Sequence, residues 1–287
     1  MARAAGDHLV MRPTAIVWPM PSWIADLVRL KEAQPRGAAP VFSTSVAQGS
    51  HGRLFGGLIA AQALAAAAAT IEPDGLPRSL PQSLHAYFIK GGRVDVDVDY
   101  TVEPTRDGRS FDTRRVTASQ EGVSIFEMLT SFHRPEPTLD WQRPDAQRLP
   151  LDQATTTITP PERWADFFET RMSAPSPDGW PKQPFWFRSR EPVEDDPVLR
   201  ACALTFVSDL GMVSTARPPG HLQPGPGGAA SLDHALWVHR TFDPNQWHCY
   251  DAVAVSHADA RGLAFGAITD VEGRLVASVA QESLWRV

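Results

Sequence analysis

Hydrophobic and polar positions divide the chain into blocks of different period. The stretch Leu54–Ile71, LFGGLIAAQALAAAAATI, carries no charge over 18 residues and holds eight alanines after Gly56 and Gly57. Alanine is the strongest helix former and adds little bulk. The stretch therefore predicts a slim helix, apolar on nearly every side and buried all round. Its length also suits a membrane span. Alanine contributes little transfer energy, however, and Gln62 sits in the middle, so a buried helix of a soluble fold is the better reading. Such a helix needs a wrapper.

The segments that follow have strand character. Ser83–Lys90 alternates, and Arg93–Glu103 alternates Val with Asp, the pattern of a half-buried antiparallel strand. Ser110–Ser119 and Ser124–Phe132 flank Gln120-Glu121-Gly122, a hairpin signal. Upstream, Ser22 predicts an N-cap for a short helix carrying Trp23, Leu27, Val28 and Leu30. A short strand around Val41–Val46 is expected within the Pro/Gly/Ser-rich residues 35–53, and residues 1–20 read as a loose arm. Pro73-Asp74-Gly75 ends the buried helix.

Residues 135–197 break the pattern, because 12 of the chain's 26 prolines fall there. They read as a connector with islands of structure. Thr159-Pro160-Pro161-Glu162 predicts a capped helix start, with the helix running through Met172. Pro184–Glu191 predicts a strand. A helix then runs from Pro197 to about Ala216, with Val198, Cys202, Phe206, Asp209 and Val213 on one stripe. After a Pro/Gly loop come four strand candidates, Ser231–Arg240, Trp247–His257, Gly262–Asp270 and Leu275–Leu284. Helix and four strands thus occur twice. Gly122 is answered by Gly273 and Phe55 by Phe206 at an offset of 151, and His85 by His234 at 149. The pattern implies an internal duplication: a repeat over residues 1–134 with its leading arm, a connector over 135–184 and a second repeat over 185–287.

Composition narrows the function. The formal net charge of −6 lacks the basic footprint of a nucleic-acid binder. Two cysteines, Cys202 and Cys249, make neither a disulfide framework nor a close metal-ligand pair. The charged start of the chain lacks the apolar core of a signal peptide, and its end, Trp285-Arg286-Val287, is not a peroxisomal address. A cytoplasmic protein without nucleic-acid or membrane partners is expected.

Several stretches resemble the acyl-CoA thioesterase II family: FGGLIAAQAL (55–64), SLHAYFIKGG (83–92), VEPTRDGRSFDTRRV (102–116), SDLGMV (208–213), SLDHALWVHR (231–240) and VASVAQES (276–283). The resemblance implies an α+β fold of two tandem hotdog repeats, each an antiparallel sheet wrapped around a central helix. It implies hydrolysis of acyl-CoA thioesters to free fatty acid and CoA by an Asp-activated water, with no metal or other cofactor. Carried onto the matching positions, the catalytic residues are Asp209, Ser231 and Gln281. Family members associate, so a homo-oligomer is expected.

The residues support this chemistry unevenly. A carboxylate on the Asp209 stripe is costly unless hydrogen-bonded or paired. Taken alone, Asp209 reads equally as a salt-bridged or helix-capping residue. Partial burial biases its pKa toward that of a general base. Ser231 is not expected to be a nucleophile, because His234, three residues on, belongs on the other face of a strand and no G-x-S-x-G elbow is present. Without the family, Ser231 is an ordinary strand hydroxyl and Gln281 an exposed strand residue. Gly56 and Gly57, at a helix start, are candidate oxyanion donors. Arg106, Arg109, Arg114 and Arg115 are candidates for the CoA phosphates, against the plainer reading of a solvated strand face. The remaining histidines read as ordinary strand or loop residues. Leu58 and Thr130 stand where the first repeat would carry Asp209 and Gln281, so one site per chain is expected. The rival functions are an enoyl-CoA hydratase of the same fold, which pairs an Asp with a His five residues on where this chain has Ser214, and a non-catalytic acyl-CoA binding protein.

Overall fold

The computed structural model of the chain describes residues 22–44, 49–50, 52–71, 79–143, 149–154, 156–157, 166–172 and 184–287. The arm, His51, the Pro73-Asp74-Gly75 stop and the helix start at Thr159 lie outside them. The first part comprises α1 (Trp23–Leu27), β1 (Lys31–Arg36), β2 (Ala39–Thr44), the short pair β3 (Gly49–Ser50) and β4 (Arg53–Leu54), α2 (Gly56–Ala68), β5 (Leu80–Phe88), β6 (Val98–Arg106), β7 (Phe111–Gln120) and β8 (Val123–His133). The second comprises β9 (Thr156–Thr157), β10 (Phe168–Met172), β11 (Phe185–Ser189), α3 (Pro197–Ser208), α4 (Met212–Thr215), β12 (Ala229–Ser231), β13 (Asp233–Val238), β14 (His248–Ala258), β15 (Arg261–Asp270) and β16 (Leu275–Trp285).

One antiparallel sheet runs β1-β2-β6-β7-β8-β5-β13-β16-β15-β14-β11-β10-β9, with β12 also on β16. The order is mirrored about the β5–β13 seam, where Leu84 lies opposite Leu236 and His85 opposite Ala235. The two edges that would otherwise be open thus cover one another. The long apolar helix is enclosed as its composition requires: α2 is buried from Gly57 to Ala68. It packs on α3, and the approach is so close that a Cβ added at Gly57 would collide with the Phe206 carbonyl oxygen. Each half ties its helix to its sheet through a buried tyrosine. Tyr100 of β6 donates to Gln62 Oε1 at 2.6 Å, and Tyr250 of β14 donates to the Ser208 carbonyl at 2.5 Å. Gln62 also donates to the Leu27 carbonyl at 2.7 Å, which accounts for a polar group inside an apolar helix.

Several elements differ from the pattern reading. The polar strand β1 has no counterpart in the hydrophobic pattern; it is an edge strand, where Pro35 and exposed side chains are tolerated. Of the Val/Asp stretch, only Val98–Glu103 belongs to the main sheet, within β6. Ahead of it the Gln120 side chain takes the partner strand's place, accepting from the Arg93 N–H and donating to the carbonyls of Arg93 and Val96. Phe168–Met172 is a strand, not the end of a helix; its Phe168, Thr170 and Met172 alternate inward. The helix expected from Pro197 to Ala216 breaks after Ser208, because Gly211 takes a left-handed φ of 76°. Both hairpins form where their Glu-Gly turns lie, with positive φ at Gly122 and Gly273.

Candidate active site

The break in the second helix places Asp209. The residue is the C-cap of α3, continuing the face that buries Val198, Cys202 and Phe206, and it is 6% exposed. One carboxylate oxygen, Oδ2, accepts from the Gly57 N–H at 2.8 Å. No side chain caps α2 at Phe55, so a carboxylate from the other repeat sits at that helix start instead. The other oxygen, Oδ1, lies 3.5 Å from Ser231 Oγ.

Ser231 and Gln281 meet on adjoining strands. Gln281 Nε2 donates to Ser231 Oγ at 3.0 Å, and the Gln281 side chain also hydrogen-bonds the Asp209 carboxyl. Gln281 is fully buried rather than exposed. The three residues taken from the family pattern therefore converge on one point. Burial pushes the Asp209 pKa up from 3.8 to about 7, against the opposing hydrogen bonds from Gly57, Gln281 and Ser231.

His234 completes the cluster, contrary to its reading as an ordinary strand residue. Its Nδ1 lies 2.7 Å from Gln281 Oε1 and its Nε2 2.8 Å from Ser208 Oγ. Strict alternation would separate His234 from Ser231. The strand, however, slips register between them: Ser231 faces Ser283 and Ala235 faces Ala280, so four steps on one strand match three on the other. This bulge turns both side chains toward Gln281. Asp233 fills the kink, its Oδ1 accepting from the Glu282 N–H at 2.6 Å. Nothing in the period of the sequence signals the bulge, so periodicity alone does not find the histidine.

Other expectations need correction. The Gly57 N–H is engaged by Asp209, so it does not stand free as an oxyanion donor. A Cβ at Gly56 would lie 2.7 Å from Asp209 Oδ2 and 2.8 Å from the Phe88 ring, so this glycine shapes the site by its bareness. Arg114 is buried. It donates to Thr70, Arg106 and Thr113 and pairs with Asp107, so it is a structural group and not a phosphate ligand. Arg115 pairs with Glu127 at 3.3 Å. Arg106 and Arg109 are exposed. At the first-repeat positions, Leu58 is buried and apolar, and the Thr130 hydroxyl donates to the Ser83 carbonyl.

Two helices enclosed by one mirrored antiparallel sheet define a tandem hotdog protein, and an acid, a hydroxyl and an amide converge where its halves meet. Known proteins agree. Residues 45–133 match the model of the acyl-CoA thioesterase N-terminal domain, and residues 142–285 that of the acyl-CoA thioesterase C-terminal domain. Acyl-coenzyme A thioesterase 8 of Homo sapiens is 31% identical over 271 residues, 82% of this chain and 81% of that one. Acyl-CoA thioesterase 2 of Haemophilus influenzae is 32% identical over 256 residues, covering 82% and 88%. The crystal structure of an acyl-CoA thioesterase II from Mycobacterium marinum is similar at a TM-score of 0.71 and 34% identity, over 92% of this chain and 96% of that one. A hot dog fold protein from Alicyclobacillus acidocaldarius, at 18% identity and a TM-score of 0.73, shares the fold. The chain belongs to the acyl-CoA thioesterase family.

Proposed function

We propose that the chain hydrolyses acyl-CoA to free acid and CoA by a water that Asp209 activates. The observation that carries this reading is the convergence of Asp209, Ser231 and Gln281, with Gln281 Nε2 3.0 Å from Ser231 Oγ and both side chains on the Asp209 carboxyl. The carboxylate takes a proton from water as its oxygen attacks the thioester carbonyl carbon. Ser231 and Gln281 hold that water in line. The tetrahedral oxyanion sits toward the start of α2, where the helix dipole and the N-terminal peptide groups beside Gly56 favour negative charge. Collapse breaks the C–S bond, and the thiolate recovers the proton from the Asp209 carboxyl. A pKa of about 7 suits this cycle, because the group is ionised in part at neutral pH and is a stronger base than an ordinary carboxylate.

The hydratase alternative loses support, since the nearby ring of His234 is taken up by Gln281 and Ser208. We take the repeats to be 1–134 and 185–287 with the joint at 135–184, from which β9 and β10 extend the second repeat's sheet edge. Exposed Arg106 and Arg109 remain candidates for CoA phosphates. A cytoplasmic homo-oligomer is part of the same reading. Association is supported by the apolar side chains of Val253 and Phe265, paired across β14 and β15 yet exposed. The test is thiol release, read with a thiol reagent, from an acyl-CoA panel running from short to long chains. Release above background at some chain length is expected. Loss of enoyl absorbance without thiol release would select the hydratase, and neither signal would select a binder.

A further inference from the structure

Gln281 can occupy its pocket in two ways, because a primary amide exchanges donor and acceptor ends by turning over. In one orientation Nε2 donates toward Ser231 and the Asp209 carboxyl. In the other the amide oxygen faces the carboxylate, two acceptors turned on each other. The Ser231 hydroxyl accepts this reversal, since it both donates and accepts. The ring of His234, 1% exposed, matches one orientation only for a given tautomer.

A neutral imidazole has one donor and one acceptor, and its partners set which nitrogen is which. Burial holds the His234 pKa down to about 4, so the ring is neutral near neutral pH. Nδ1–H donating to Gln281 Oε1 leaves Nε2 to accept, and the Ser208 hydroxyl lies 2.8 Å away to donate. With Nδ1 protonated, that hydroxyl turns its proton to the ring; with Nε2 protonated, it accepts from the ring and donates to the Thr205 carbonyl, 2.9 Å away. The Gln281 amide oxygen, turned away from the Asp209 carboxylate and 2.7 Å from Nδ1, selects the first. The bond from Tyr250 to the Ser208 carbonyl pins this end of α3. A chain from Ser208 through His234 to Gln281 therefore ends at the hydrolytic set.

We propose that His234 is a positioning residue for hydrolysis: its Nδ1–H holds the Gln281 carbonyl oxygen and keeps Nε2 aimed at Ser231 and Asp209. The ring, enclosed between Ser208 and Gln281, acts through the amide and not on the substrate itself. The inference rests on the Asp209–Ser231–Gln281 reading of the site and extends it by one residue.

Two substitutions separate this role from packing. Asparagine places an amide N–H near the position of Nδ1, and glutamine places one near Nε2. His234→Asn should keep kcat close to that of the wild type. His234→Gln should lower kcat by about 10²-fold, the scale of a misplaced reacting group, with KM little changed. Added to Gln281→Ala, it should cost nothing further, because both act through one amide. Equal losses in folded His234→Asn and His234→Gln, or wild-type turnover in His234→Gln, would overturn the proposal. Ring-nitrogen NMR on the wild-type protein reads the same point without relying on a variant's folding. A neutral His234 ring protonated at Nδ1 is expected, and one protonated at Nε2 alone overturns it. If Asp209→Asn and Gln281→Ala both retain turnover, the underlying site reading fails. If those two lose it and His234→Gln does not, only the role of His234 fails.

Discussion

The Asp209 carboxylate, in the second repeat, accepts a hydrogen bond from the Gly57 N–H, in the first, at 2.8 Å. The site therefore belongs to neither repeat alone. The first contributes a bare helix start and the second an acid, a hydroxyl and an amide. The seam between β5 and β13 holds the two together.

Gly57→Ala tests that junction. The new methyl meets the Phe206 carbonyl, a backbone atom that cannot swing aside. Overpacking of this kind costs about 1–3 kcal/mol. Thermal melting should show that loss. Turnover at a temperature where the variant stays folded should fall as well, because α2 and Asp209 are forced apart. An unchanged melting curve with unchanged turnover would contradict the close approach of the two helices.

The pH dependence follows from burial of Asp209. In the proposed mechanism Asp209 must be ionised to act as the base, so kcat/KM should rise with pH and level off above about 7. Stability runs the other way. The folded-state pKa of about 7 lies above the ordinary 3.8, so between these values the native protein holds a proton that the unfolded chain has released. The contribution is fully present below the lower value and is lost as pH rises through the upper one. A tenfold difference in acidity between the two states is worth about 1.4 kcal/mol. Asp209→Asn should accordingly melt above the wild type at alkaline pH, and its stability should lack that decline. Parallel melting curves across pH for both proteins would count against a buried, perturbed acid.

Gln62 offers a stability test away from the site. Gln62→Leu keeps the volume but strands the buried Tyr100 hydroxyl and the Leu27 carbonyl. A lost buried partner costs about 1–3 kcal/mol. Denaturant unfolding should show this, while kcat of the folded variant stays near that of the wild type.

Much of this architecture is legible in the sequence because it rests on periodicity. The uncharged Ala/Gly run reads better as an enclosed helix than as a membrane span, and the Glu-Gly turns set both hairpins. The site is legible only through the family pattern: Asp209 alone reads as a cap, and α3 does end there. What periodicity cannot supply are breaks in period. The helix break comes from one left-handed glycine, Gly211, inside an otherwise helical run, and the slip between Ser231 and Ala235 depends on a partner strand distant in sequence. The slip reverses the alternation that would separate His234 from Ser231. Arg114 escapes the pattern for a related reason, since its partner Thr70 lies at the far end of the helix segment. Charge on a strand does not show which face the fold covers.

The most direct test of Asp209 as the base is thioester hydrolysis by Asp209→Asn. The amide keeps the shape of the side chain and its capacity to accept from Gly57, and removes only basicity. General-base catalysis contributes about 10²–10⁴-fold in rate. A folded variant, verified by its melting curve, should lose at least about 10²-fold in kcat on the best acyl-CoA of the panel. Near-wild-type turnover in that folded protein would contradict this role and move the search for the base to Asp233, whose half-buried carboxyl is also shifted upward, chiefly by burial.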